Sequence, residues 1–136
     1  MKFLSNNGLQ YLITKLMGVD FIVEEGTATA GDIDYTYRKW NSGIAECWGY
    51  KPAASYAMTS TYGNGYFYNV SDVPFPSGLF TSSYSPNIKI TTLSGSGLVF
   101  PSLRAQSASA FSFYMTSMKS ETLSVGLEIY AIGRWK

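Results

Sequence analysis

The chain has 136 residues, with ten Lys and Arg against nine Asp and Glu, a formal charge of +1, and only 14% charged residues. That length supports one domain with a real core, and the balance excludes a polybasic nucleic-acid arm, an acidic tail and the profile of a disordered chain. Histidine is absent, which removes the commonest general base and the commonest zinc ligand, while 16% aromatics and 13 glycines favour an all-β chain.

The first element is a helix. Leu9, Leu12, Ile13, Leu16 and Met17 recur at i, i+3, i+4, i+7 and i+8, which places one apolar stripe along it. Ser5 is the expected N-cap, with Leu4 and Leu9 as a hydrophobic staple, and Gly18 is the expected stop. About three turns of helix are unstable alone in water, so the stripe must pack on its own domain or on identical helices. Met1 to Asn7 carries one positive charge and no long apolar run follows, unlike a secretory signal. No stretch approaches the roughly 20 apolar residues of a membrane-spanning helix.

Beyond Val19 the pattern changes to strands and turns. Residues 20–25 read as a short extended piece and 26–32 as a loop. Residues 35–40 (YTYRKW), 41–43 (NSG) and 44–50 (IAECWGY) form the strongest local signal, a β-hairpin. A three-residue loop with Gly43 left-handed sets Arg38 opposite Glu46 and Thr36 opposite Trp48, and Trp40, Ile44 and Trp48 on one face. Further strands are expected at 65–70, 87–93, 97–100, 109–116 and 123–132, with Pro74 and Pro76 breaking regular pairing between them. Phe111, Phe113 and Met115 share one face, as do Leu123, Val125, Leu127, Ile129 and Ala131. Roughly seven short strands between Gly, Ser and Pro turns describe a β-sandwich. The organisation read from this is a helix and connector over residues 1–31 and a sandwich over 32–136.

Little in the sequence points to catalysis. A glycosidase needs two facing carboxylates, and Glu46 on one strand and Glu128 on another are the pair weighed for it; a cross-strand ion pair for Glu46 and solvent for Glu128 is the favoured reading. Asp32 and Asp34 weakly resemble half of a calcium site, whose matching Asp-rich loop with its bidentate Glu is missing. Cys47, alone and inside an alternating strand, reads as a small core residue, and a single cysteine fits a chain made in a reducing compartment. No catalytic residue, metal or cofactor is assigned.

The aromatics of the loop-rich middle are the better lead. Tyr56, Tyr62, Tyr66, Phe67, Tyr68 and Tyr84 are mixed with Asn, Ser and Thr, a combination suited to a sugar ring or a protein epitope. Tyr62, Tyr66, Tyr68 and Tyr84 are the candidate ligand contacts, with the 62–68 segment (YGNGYFY) foremost. Leu9, Leu12, Ile13 and Leu16 are the candidate oligomerisation residues.

Residues 35–49, YTYRKWNSGIAECWG, closely resemble a segment of the form YRKW-(N/S)-(S/N)-G-x-AECWG found in tail-fibre-like and other structural proteins of phages and prophages of Gram-positive and gut bacteria. Residues 129–136, IYAIGRWK, resemble the end of the same proteins, and residues 3–16 look like the short helix that often precedes their distal domains. The resemblance implies a homotrimeric fibre-tip sandwich, exposed on the particle, held by other virion proteins and attaching to a host-surface glycan or protein. It carries no catalytic residues, and neither nucleic acid nor membrane insertion is expected. The long fibre-forming and anchoring parts of such proteins have no counterpart here, so the chain reads as a compact tail- or head-fibre protein or as a piece of a longer one. A stand-alone carbohydrate-binding sandwich is the alternative.

Overall fold

The structure, a computed structural model, describes residues 6–81, 84–95 and 98–136. Among the described residues a helix, α1 (Asn6–Met17), precedes nine strands: β1 (Ile22–Ala30), β2 (Ile33–Trp40), β3 (Ile44–Met58), β4 (Ser60–Tyr62), β5 (Gly65–Pro74), β6 (Tyr84–Ser94), β7 (Val99–Gln106), β8 (Ala110–Ser117) and β9 (Glu121–Arg134). All pairings are antiparallel. They build a five-stranded sheet, β1-β2-β3-β9-β6, and a four-stranded sheet, β4-β5-β8-β7, whose inner faces share one core. The fold is an all-β sandwich behind a short N-terminal helix.

The β2–β3 hairpin takes the register expected from its turn. Arg38 lies opposite Glu46 and Thr36 opposite Trp48. Gly43, at a φ of 93°, closes the three-residue loop, and its amide donates to the Trp40 carbonyl at 3.0 Å. A side chain there would be strained, which is why this turn holds a glycine.

Three expectations need correction. Residues 26–30 are not a loop but the second half of β1, with Ala28 opposite Tyr35 and Ala30 opposite Ile33. An edge strand needs only small side chains on its inner face, and Thr27 and Thr29 take the outer one. The boundary at 31/32 therefore runs through a hairpin turn, and β1 belongs to the sandwich. Second, β3 does not end at Tyr50. A bulge between Lys51 and Ala54 takes Pro52 out of the ladder, after which Tyr56 and Met58 return to the core. Third, Pro74 is paired, opposite Ala110. Phe75 donates to Ser109 at 2.8 Å, so by alternation the nitrogen of Pro74 faces the other flank, beyond the end of the short β4, and its missing N–H breaks no ladder bond.

β8 and β9 bury the residues their alternation predicts: Phe111, Phe113 and Met115 from one, and Leu123, Val125, Leu127, Ile129 and Ala131 from the other. One end of the sandwich is closed by rings around Phe75, with Tyr84, Phe111 and Phe80 at centroid distances of 4.6, 5.1 and 5.3 Å. Such pairs add about 0.5–1.5 kcal/mol each beyond their burial. Tyr84, expected at a ligand surface, is one of these rings. It is 6% exposed, and its hydroxyl donates to the Ala110 carbonyl at 2.6 Å. The connection from β5 to β6 brings Leu79 and Phe80 over the open end, and Tyr84 is the first inward position of β6.

α1 ends at Met17, and the amide of Gly18 donates to the Lys15 carbonyl at 3.2 Å. The expected cap Ser5 and staple residue Leu4 lie outside the described residues, as does the side chain of Leu16. Leu9, Leu12 and Ile13 are 47%, 43% and 40% exposed in the single chain, so the stripe is open to solvent there.

Candidate functional site

The β4–β5 hairpin turns on two residues, Gly63 and Asn64, with Tyr62 opposite Gly65. Gly63 has a φ of 58°, the left-handed first position of a type II′ hairpin. The residue facing Tyr62 has no side chain, and among the described residues none covers its ring, which is 86% exposed. The same outward face carries Phe67 from β5, Tyr114 and Thr116 from β8 and Ser102 from β7. Together with Tyr62, Gly65 and Tyr66 these line a groove of about 270 Å³. Phe67 and Tyr114 meet edge to face at 5.4 Å, and the guanidinium of Arg104 stands 5.8 Å from the Tyr114 ring. The groove is thus a fixed aromatic corner with hydroxyls along one side and a cation at the rim. Flat rings on a rigid sheet can hold an apolar ligand face at low entropic cost.

Of the four expected tyrosines, only Tyr62 presents a free ring here. Tyr66 borders the groove but is half-buried and packs against the core. Tyr68 shares the parity of Tyr66 and of buried Val70, so it points away from the groove; it meets the ring of Tyr56 edge-on at 5.2 Å and is 37% exposed. Burial pushes the Tyr84 phenol up to about 12. Strand alternation divides the segment from 66 to 70 between two faces. Tyr114, Thr116 and Ser102, which line the groove, and Arg104 at its rim are not among the residues expected from the middle segment. The signal for two of them was present: if Phe111, Phe113 and Met115 point inward, Tyr114 and Thr116 point out.

The hairpin motif builds a polar network on the outer face of the other sheet. Arg38 reaches Glu25 at 2.6 Å and Glu46 at 4.0 Å, with its guanidinium 5.0 Å from the Trp48 ring. Tyr130 donates its hydroxyl to Glu46 at 2.7 Å, and this bond to a carboxylate pushes the phenol up to about 12. Glu128 shares that face but sits opposite Tyr50, four residues from Glu46 along β3, and pairs with Lys89 at 2.9 Å. Four residues of strand span about 13 Å, beyond the roughly 5–9.5 Å of glycosidase carboxylate pairs. Asp32 pairs with Lys51, and Asp34 accepts from the Thr29 hydroxyl at 2.7 Å. Cys47 faces the core, and burial pushes its thiol up to about 12.

Compared with protein-family models, curated protein sequences and solved structures, the chain finds no match in any of the three.

Proposed function

We propose that this chain is a phage virion structural protein, a distal fibre domain that attaches to a ligand on the host cell surface. The observation that carries the reading is the β4–β5 groove, where an uncovered Tyr62 ring stands beside Phe67 and Tyr114 on a rigid sheet. The two sequence segments that resemble phage fibre proteins lend support, because they meet in space as one unit. Trp135 donates through its amide to the Gly43 carbonyl and through its indole to the Trp40 carbonyl, each at 2.9 Å.

Attachment by such a groove is weak per copy, and a homotrimer would multiply it by avidity. The open stripe of Leu9, Leu12 and Ile13 is the surface three copies would share. The stand-alone carbohydrate-binding alternative uses the same groove as a monomer.

The test is binding of the purified, fluorescently labelled protein to whole Gram-positive and gut bacterial cells. Tyr62→Ala and Phe67→Ala together should weaken binding several-fold, with only the modest drop in melting temperature expected from losing the Phe67–Tyr114 contact. Undiminished binding by the folded double mutant would remove this groove from the site, and failure of the wild type to bind any strain would count against attachment itself.

A further inference from the structure

On the opposite side of the molecule, the outer face of the five-stranded sheet carries a second, broader groove of about 560 Å³. Its floor is two neighbouring rungs of the sheet. One runs Thr36, Trp48, Tyr130, Asn87 and the next Asp34, Tyr50, Glu128, Lys89, each residue directly opposite the one before it. Three aromatic rings therefore lie at the centre of the face, and polar side chains lie around them.

The rings are held in place. The Tyr130 hydroxyl is tied to Glu46 at 2.7 Å, and Trp48 stands beneath the Arg38 guanidinium at 5.0 Å. Tyr50 lies over Gly126, where a Cβ would fall only 2.3 Å from the tyrosine oxygen and 2.9 Å from the ring carbon bearing it. Any larger residue at 126 would push that ring off the sheet. A platform whose orientation is set before binding loses little entropy when a ligand arrives.

The polar fringe decides what fits. Asp34 and Glu128 against Lys89 leave the groove with a surplus of one negative charge, so a polyanion such as nucleic acid is repelled. A purely apolar segment would strip water from those groups without replacing their hydrogen bonds, which is costly. A neutral pyranose meets both demands, with an apolar C–H face for the rings and hydroxyls at its edge for Asp34, Asn87, Glu128 and Lys89. The Lys89–Glu128 pair is exposed on both sides, and such pairs contribute only about 0–1 kcal/mol, so it exchanges readily for sugar hydroxyls.

We propose that this groove binds neutral hexopyranose units of a polysaccharide, with Trp48, Tyr50 and Tyr130 stacking on the sugar and Asp34, Asn87, Lys89 and Glu128 reading its hydroxyls. The site does not rest on the attachment reading, because it serves a fibre tip and a stand-alone module equally.

The experiment is an NMR titration of the full isotope-labelled chain with methyl α-glucopyranoside, methyl α-mannopyranoside and methyl β-galactopyranoside, each tested separately. At least one should give saturable shifts at residues 34–36, 48–50, 87–89 and 128–130 and at the Trp48 indole, with a midpoint on the order of 1 mM. Tyr50→Ala should weaken that binding about tenfold or more, and Gly126→Ala should weaken it with Tyr50 still present. Asn87→Ala, at an exposed position, serves if either of the others fails to fold, and should weaken binding too. No saturable shift with any of the three sugars overturns the proposal. So do shifts confined to the β4–β5 groove, or full affinity in folded variants.

Discussion

The indole of Trp135 donates to the carbonyl of Trp40 at 2.9 Å, a bond between residues 95 positions apart. Beside it the Trp135 amide donates to Gly43 at 2.9 Å, and the Arg134 guanidinium donates to the Ser42 carbonyl at 3.2 Å. The last residues of the chain thus grip the turn of the first long hairpin. Lys39, itself paired with Glu24, stands 5.5 Å from the Trp135 ring. Two segments that carry the resemblance to fibre proteins are in this way a single structural clasp.

Removing the clasp should cost stability. Trp135→Ala loses a half-buried ring and a hydrogen bond, worth about 2–3 kcal/mol together. Urea unfolding should show a lower midpoint at an unchanged slope. Trp135→Phe, which keeps part of the ring packing, should recover more than half of the loss. Equal stability of wild type and Trp135→Ala would make the clasp incidental.

Tyr62 and Tyr84 should respond oppositely to truncation. Tyr84→Ala opens a hole in the aromatic cluster around Phe75 and should cost about 3–5 kcal/mol. Tyr62→Ala removes an uncovered ring and should stay within about 0.5 kcal/mol of wild type. Thermal melts of the two variants decide the assignment of core and surface.

If identical helices cover the stripe of α1, light scattering should give about 45 kDa in solution, three copies of the 15.0 kDa chain. Leu9→Ser with Leu12→Ser should shift that mass toward the monomer and make the melting temperature depend on protein concentration. A wild-type mass of one chain would remove the trimer and leave the stand-alone reading.

Alkaline pH should unfold the protein through its buried acids. Burial raises the Cys47 thiol from its ordinary 9.0 to about 12. The folded chain then keeps a proton that the unfolded chain gives up, so stability is fully present below pH 9 and falls as pH rises toward 12. The slope from Cys47 alone approaches about 1.4 kcal/mol per pH unit. Tyr84, raised from 10.0 to about 12, and Tyr35, raised by deeper burial, steepen the fall above pH 10. Cys47→Ala should therefore lower the slope from pH 9 to about 12, and leave the curve nearly flat between pH 9 and 10, below the range of the tyrosines. Consistently, a thiol reagent should label Cys47 after denaturation and not in the native protein.

What the sequence by itself determined is local. The 35–50 hairpin was legible down to its register, because alternation and the glycine turn act between neighbours and a slip of one residue would turn Cys47 and Ala45 outward. The faces of β8 and β9 were legible for the same reason, and the helix from its apolar period. The strand at 26–30 was not, since Gly and Ala disfavour strands and outweigh the two threonines, and it exists because β2 supplies its partner. Likewise Tyr62 and Tyr84 sit in similar polar, turn-rich sequence. Only the packing of Phe75 and Phe80 around one, and the bare glycine opposite the other, separated core from surface. The order β3-β9-β6 set Asn87 and Lys89 beside Tyr130 and Glu128, and the order β5-β8-β7 set Ser102 beside Tyr114. Both grooves are products of those long-range pairings, whose energies come from contacts between residues tens of positions apart and leave no trace in local periodicity.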